Sequence, residues 1–384
     1  MMDKKKWQSS DFREVERSEL YAKNSAPKRQ RWLQKLLGSL LVFWLISKAI
    51  TPWTGLHEWE QAFPEFGKKI ADVKRQNTNA WIVGSSTIMH HIIPNELDSI
   101  TANHGLKWYN FGLQRCAPPE SFYLTHVLLD EKDADDLDVL VFEVQPEEIL
   151  SWDEISSLRN TAQLSFFETQ RRIRRIPWKA PNQLGANWEQ SRILIWGWLQ
   201  HLIAFLRPAQ YLSRSEVTAD NGETKGFVEL KASDSKTGRL AKTHLQWTRS
   251  SDSLIQHQIF IAQDFDYRMT LADPTINWDC EGRVNPILDQ MEILLNKCES
   301  KGIHCLFHFQ NLWDTNGCIY FAALEKWGAS HVFESMGYAG NEDLFEATDR
   351  YDESHLMRSG AKKFTSSFGE KLNLLFNETE TNKE

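Results

Sequence analysis

Four short apolar runs, separated by long stretches of other character, constrain this chain more than any other feature. They are "NAWIVGSS" at 79–86, "LKWYNFG" at 106–112, "LDVLVFEVQ" at 137–145 and "GIHCLFHFQ" at 302–310. Each is short for a helix and nearly continuous in apolar residues, the pattern of a strand covered on both faces. Between them, "PESFYLTHVLLDE" (119–131) and "NPILDQMEILLNKCESKG" (285–302) carry apolar residues at helical spacing, the second stopped by Gly302. Residues 55–76 also read as helical. Strands alternating with helices predict an α/β fold, a three-layer sandwich around a mainly parallel sheet. Such a sheet opens its ligand crevice at the carboxyl ends of its strands.

The piece between the third and fourth runs, 146–284, is too long for a simple crossover and reads as a largely helical insertion. It holds a basic stretch, "QRRIRRIPWK" (170–179), and an apolar helix, "SRILIWGWLQHLIAFLRP" (191–208). Segment 213–250 is polar and rich in Ser, Lys, Asp and Gly, and reads as a flexible loop. The apolar part of 191–208 is short against the ~20 residues that cross a bilayer. A crossing there would also put the two halves of the domain on opposite sides. The helix therefore reads as buried or as lying on a membrane surface. Arg171, Arg172, Arg174, Arg175 and Lys179 would face either anionic lipid or water.

Nearer the N-terminus, "KRQRWLQKLLGSLLVFWLISKAITPW" joins an apolar run to a basic flank of Lys28, Arg29, Arg31 and Lys35. Its length is marginal for a span, with lysines that can snorkel. A buried core helix is one reading and a cleaved signal peptide another, since Ser47-Lys48-Ala49 loosely resembles a cleavage site. The long polar lead and the basic flank favour an uncleaved anchor. The expected organisation is a cytoplasmic tail at 1–31, a transmembrane signal anchor at 32–53 that meets membrane lipid, and an extracytoplasmic domain at 54–384.

A net charge of −8 argues against a nucleic-acid binder. Five scattered cysteines, at 116, 280, 298, 305 and 318, form no C-x-x-C pair, so neither a metal knuckle nor a disulfide framework is indicated. Buried free thiols are expected, with room for one bridge. His90-His91 lacks a carboxylate at ligand spacing, and His304 and His308 read as packing residues on one strand face. No metal and no cofactor is expected. The sixteen tryptophans read as core and interface residues.

Two stretches carry chemistry. In "WIVGSSTI" a buried strand ends at Gly84, so Ser86 would stand at the carboxyl edge of the sheet. By itself Gly-Ser-Ser is common and reads first as a helix N-cap. In "DESHLMRSGAKKFT" (352–365), Asp352 precedes His355 by three residues, close enough for the carboxylate to reach the ring. By itself this reads equally as a solvated acid beside a loop histidine.

Together, Gly84-Ser85-Ser86 near the start of the domain and Asp352-x-x-His355 near its end resemble the SGNH (GDSL-type) hydrolase superfamily. The likeness is to its membrane-anchored cell-envelope acyl-transfer members, of the teichoic-acid D-alanyl transfer and alginate O-acetylation types. "YNFGLQRCAPPESFYLTHVLL" and "DVLVFEVQPEE" stand where that family has its second and third blocks, and the likeness covers roughly 77–376 without the 146–284 insertion. It implies an SGNH/flavodoxin-like sandwich. It also implies a triad in which Ser86 is the nucleophile, His355 the base and Asp352 the orienting acid.

Two positions depart from the family. Where its second block has a glycine that donates its N–H to the oxyanion, this chain has Arg115. That N–H still donates unless the backbone there needs a positive φ. Where the third block ends in asparagine, this chain has Gln145.

The expectation is a serine esterase or O-acyltransferase acting on envelope polysaccharide or polymer esters. The resemblance also implies a polytopic membrane acyltransferase as partner. A catalytically impaired binding or scaffold subunit of an envelope modification or export complex is the alternative. A structural anchor protein with chance motifs is a third reading, and it places Ser86 far from His355.

Overall fold

The computed structural model describes residues 62–131, 134, 136–146, 158–164, 166–176, 184–204, 224–231, 238–271, 284–310, 314–335, 337–338 and 341–381. Between residues 34 and 42 it also describes five helical positions. The chain divides into two units, Met1–Glu58 and Trp59–Glu384. The expected cytoplasmic tail and membrane anchor lie, those five positions apart, outside the described residues. Among the described residues no helix is long and apolar enough to cross a membrane.

Within the second unit five strands form one parallel sheet. They are β1 (Ala80–Gly84), β2 (Trp108–Gly112), β3 (Val139–Glu143), β4 (His304–Phe309) and β5 (Val332–Glu334), in the order β2-β1-β3-β4-β5. The four apolar runs supply β1 to β4. β5 is three residues long, too short to show a period in the sequence. The helices, in chain order, are α1 (Pro64–Val73), α2 (Ser86–His91), α3 (Pro94–Ile100) and α4 (Glu120–Asp130). Then come α5 (Leu158–Ala162), α6 (Phe166–Arg175), α7 (Leu184–Ala204) and α8 (Gly238–Arg268). α9 (Val284–Ser300), α10 (Asp314–Trp327) and α11 (Arg358–Thr381) complete the set.

The near-continuous apolar character of the strands is explained by a core on each face. Alternate residues Trp81, Val83, Phe111, Leu140, Phe142 and Phe307 pack with Phe66 of α1, Phe122 of α4, Met291 of α9 and Ile319 of α10. The intervening residues Ile82, Trp108, Val141 and Leu306 pack with Ile88 of α2, Leu97 of α3 and Phe364, Phe368 and Leu372 of α11. Full burial of one such side chain is worth about 2 kcal/mol, so these three residues of α11 suffice to hold the segment that follows His355 against the sheet. The expected layered α/β architecture with a parallel sheet is observed.

Among the described residues the regular elements of the 146–284 insertion are all helices, α5 to α8. The loop expected at 213–250 needs correction in its described parts. Residues 224–231 run along the open edge of β2, where Asn110 N–H donates to Lys225 O at 3.0 Å and Val228 N–H to Met89 O at 3.1 Å. Gly226 is left-handed (φ 87°), and a Cβ there would lie 2.1 Å from Asn110 O, so the close approach needs glycine. Buried Lys69 closes the seam, donating to Asn110 O at 2.9 Å and Gly226 O at 2.7 Å. Residues 238–250 begin α8, which departs from helical geometry at Ser250 (φ −135°). Their polar composition hides the helix, of whose described side chains in that stretch Trp247 reaches the core.

Candidate active site

β1 ends at Gly84, and the chain turns at once into α2, whose first residue is Ser86. Ser85 caps α2, its hydroxyl accepting from Thr87 N–H at 3.2 Å. The helix-cap reading of Gly-Ser-Ser is thus correct for Ser85, which leaves Ser86 free to face outward. A Cβ on Gly84 would lie 2.5 Å from Glu143 Oε2 and from Ile88 Cγ1, so the turn is built around a bare backbone.

Opposite stands the loop 350–357, which leads into α11. Ser86 Oγ lies 2.9 Å from His355 Nε2, and His355 Nδ1 lies 2.8 Å from Asp352 Oδ1. The same carboxylate oxygen accepts from Ser354 N–H and His355 N–H at 2.9 Å each, so the acid is fixed by its own loop. Asp352 Oδ2 accepts from the Thr243 hydroxyl of α8 at 3.1 Å. Burial alone would raise the Asp352 carboxyl, but the bonds from His355, Ser354 N–H and Thr243 win, and its pKa lies below the ordinary value. Ser86, Asp352 and His355 therefore meet, which removes the reading of chance motifs placed far apart.

Two more histidines frame His355. The His90 ring stands edge-on to His355 at 5.3 Å, with Nδ1 donating to Val228 O at 2.7 Å. Burial lowers its pKa to about 4, so His90 is neutral at pH 7 and puts no second positive charge beside His355. Buried His91 accepts Leu356 N–H on Nε2 at 3.2 Å and pairs through Nδ1 with the Gln310 side chain. It thereby pins the backbone next to His355. Among the described residues no group of three or more His, Cys, Asp or Glu could hold a metal. His308 packs against Phe333 and Phe368 with Nε2 at 2.6 Å from Ser335 Oγ, as a core histidine does.

These buried rings set an acid limit on the fold. His90 (about 4) and His308 (about 3) are lowered chiefly by burial, as are His126 (about 4) and His91. Each folded-state pKa lies below the ordinary 6.5, so as pH falls the unfolded chain binds protons first. Their contribution is full above 6.5 and is lost as pH falls to about 4. Buried Glu143, whose pKa is raised by burial, acts in the opposite sense above its ordinary 4.5. The expected slope is about 1.4 kcal/mol per pH unit for each histidine. A thermal midpoint that stays flat between pH 6.5 and 4.5 would contradict it.

Sequence reading passed over Glu143, although an acid inside an apolar strand was a visible signal. It is buried at the end of β3, accepting from Ser85 N–H at 2.6 Å and from the Thr87 hydroxyl. Thr87 spends its proton on Glu143, so at 2.7 Å the Ser85 hydroxyl donates to Thr87. Ser85 in turn accepts from Gln145 Nε2 at 2.8 Å. A hydrogen-bonded cluster joins Gln145, Ser85 and Thr87 to the Glu143 carboxyl, beneath the Gly84-Ser85-Ser86 turn.

The two expected oxyanion positions differ from each other. Arg115 is left-handed (φ 54°), the conformation in which a glycine would be unstrained. Its N–H has no acceptor among the described residues. The turn is held by Arg159 of α5, which donates to Gln114 O at 2.5 Å and forks onto the buried Glu120 carboxylate. Gln145 donates an amide proton to Ser85, and its side chain also bonds the Glu143 carboxyl.

A crevice of about 340 Å³ opens above Ser86, lined by Gln114, Arg115, Asp352 to His355 and, from α8, Thr243, Gln246, Trp247 and Leu254. Gln145 is not among its lining residues. α8 also binds the triad loop directly. His244 Nδ1 donates to Tyr351 O at 2.6 Å, Trp247 Nε1 to Ala347 O at 3.4 Å and Gln258 Nε2 to Glu353 O at 2.6 Å.

Compared with known proteins, the chain matches no family model, no curated protein and no solved structure.

Proposed function

We propose that this chain is a serine esterase or O-acyltransferase of the SGNH type, acting on acyl esters of cell-envelope polysaccharide or polymer. The observation that carries the reading is the continuous line Ser86 Oγ, His355 Nε2, His355 Nδ1, Asp352 Oδ1. On that reading Ser86 Oγ attacks the ester carbonyl while His355 Nε2 takes its proton. Asp352 holds the ring with Nδ1–H and balances the imidazolium. As the tetrahedral intermediate collapses, Nε2 protonates the departing alkoxide and the acyl group stays on Ser86. Water or an acceptor hydroxyl, deprotonated by the same ring, then releases it. On the same reading the Arg115 N–H and the Gln145 side-chain amide are the oxyanion donors. The strand order 2-1-3-4-5, with Ser86 and Gln145 at the β1/β3 edge, agrees with the SGNH/flavodoxin-like sandwich.

The reading places the domain outside the cytoplasm behind the 32–53 anchor, with a polytopic membrane acyltransferase as acyl donor. The disulfide at Cys318 supports an oxidising compartment, while Cys116, Cys298 and Cys305 are buried free thiols. The test is covalent labelling of Ser86 by a fluorophosphonate together with turnover of a short-chain aryl ester. A wild-type chain that does neither sinks the proposal. The alternative, a binding or scaffold subunit, is favoured by one observation: Gln145 stands outside the crevice lining. It expects full function in cells that carry Ser86→Ala and His355→Ala together.

Thr243 offers a finer test. Thr243→Val keeps the shape but removes the bond to Asp352, and kcat is expected to fall about 3–10-fold with KM unchanged. Thr243→Ser should restore it. Equal kcat in wild type and valine variant would show that this bond does not serve the triad.

A further inference from the structure

α7 is turned the wrong way for a helix that meets only water. Its buried side includes two polar residues, Asn187 and Ser191, with Ser191 Oγ donating to Asn187 O at 2.9 Å. Its outer side exposes Trp188 (61%), Ile195 (43%) and Trp196 (43%). At helical spacing residues 188, 195 and 196 share one face, with Arg192 exposed among them. Among its described side chains, Ile193 and Leu194 join the small core formed with Leu164 of the α5–α6 link and Ile176. Large apolar side chains gathered on the outside of a helix that buries polar ones mark a surface with a partner.

Charge says which partner. Residues 158–204 hold seven Arg and Lys against two Glu, a net +5 in a chain whose net charge is −8. Both glutamates are taken up locally, Glu168 by Arg171 and Arg172, Glu189 by Arg192. Arg174 is exposed on α6. With Arg159 bound to Glu120, the remaining surplus still favours an anionic surface at this part of the molecule, and indole rings settle at the boundary of headgroup and acyl chain. Among the described residues no helix is apolar enough to cross a bilayer, so this one would lie along it.

We propose that the Trp188–Ile195–Trp196 face of α7 docks on the surface of an anionic lipid bilayer. The insertion then orients the domain at the membrane as a second attachment, separate from the apolar run at 33–50. The proposal stands on the helix and its charge and is independent of the chemistry at Ser86.

Photocrosslinking in the full chain tests it. Trp196 is replaced by p-benzoylphenylalanine, and Phe260, more exposed still on α8, is replaced in the same way as a control. The protein is reconstituted in phosphatidylcholine vesicles with and without phosphatidylglycerol, and in native membranes. The expected result on irradiation is a lipid adduct at 196 at least several-fold above that at 260, falling when phosphatidylglycerol is left out. An adduct at 196 to another protein, to a second copy or to another segment of the same chain would overturn the proposal. So would a lipid yield no higher than at 260, or one indifferent to phosphatidylglycerol.

Discussion

Replacing Ser86 with alanine abolishes fluorophosphonate labelling and lowers ester turnover by about 10⁴-fold or more, the scale set by loss of a triad nucleophile. The expectation follows from distances already in hydrogen-bonding range, 2.9 Å to His355 and 2.8 Å onward to Asp352. His355→Ala should cost a similar factor, because His355 is the described ring within hydrogen-bonding distance of Ser86 Oγ. His90, with its pKa near 4, has its Nδ1 proton bonded to Val228 O. Asp352→Asn should cost somewhat less, through a ring left in the wrong tautomer. The three losses should not add, since the residues act as one unit. Labelling that persists in Ser86→Ala would move the nucleophile elsewhere and end the triad assignment.

Gly112→Ala is expected to destabilise the domain by about 3 kcal/mol, at the upper end for overpacking. A Cβ at 112 would lie 2.3 Å from Met89 N and 2.7 Å from Met89 Cα, and backbone cannot swing aside as a side chain can. The contact sits where β2 docks against α2. Buried Asn110 binds Ile88 O and Ile92 O at 2.8 Å each and accepts Gly112 N–H at 2.8 Å. Pushing α2 off β2 strains those bonds and shifts the helix whose first residue is Ser86. The thermal midpoint should fall by roughly 5–10 °C, with turnover falling in the fraction that still folds. An alanine variant with the wild-type midpoint would mean that α2 does not pack this closely on β2.

Much of this site was legible because its signals are local. Gly84-Ser85-Ser86 ends a buried strand, and Asp352 and His355 share one turn, so composition and spacing carried both halves. What stayed hidden involves partners far apart in sequence. Thr243 reaches Asp352 across 109 residues, from a helix whose polar surface reads as loop. Arg159 holds the Arg115 turn through Gln114 across 45 residues, and no local pattern marks it. Gln145 was singled out for its place after β3, but its bond to Ser85 depends on the Glu143 cluster beneath the turn. The glycine missing at 115 raised a doubt about positive φ. The left-handed geometry is present there without it, held by Arg159 on Gln114 and the packed turn.

By itself the sequence determined the parallel α/β architecture, since apolar runs too short for helices, alternating with helical segments, read as strands covered on both faces. It also determined which residue types stand at the strand ends. The tertiary structure alone decided that Ser86 and His355, 269 residues apart, come within hydrogen-bonding distance. It alone decided that the insertion builds one wall of the crevice, and that α7 turns its tryptophans outward. The reason is physical: hydrophobic period is a property of neighbours along the chain, whereas a hydrogen bond between distant segments depends on how closed layers pack.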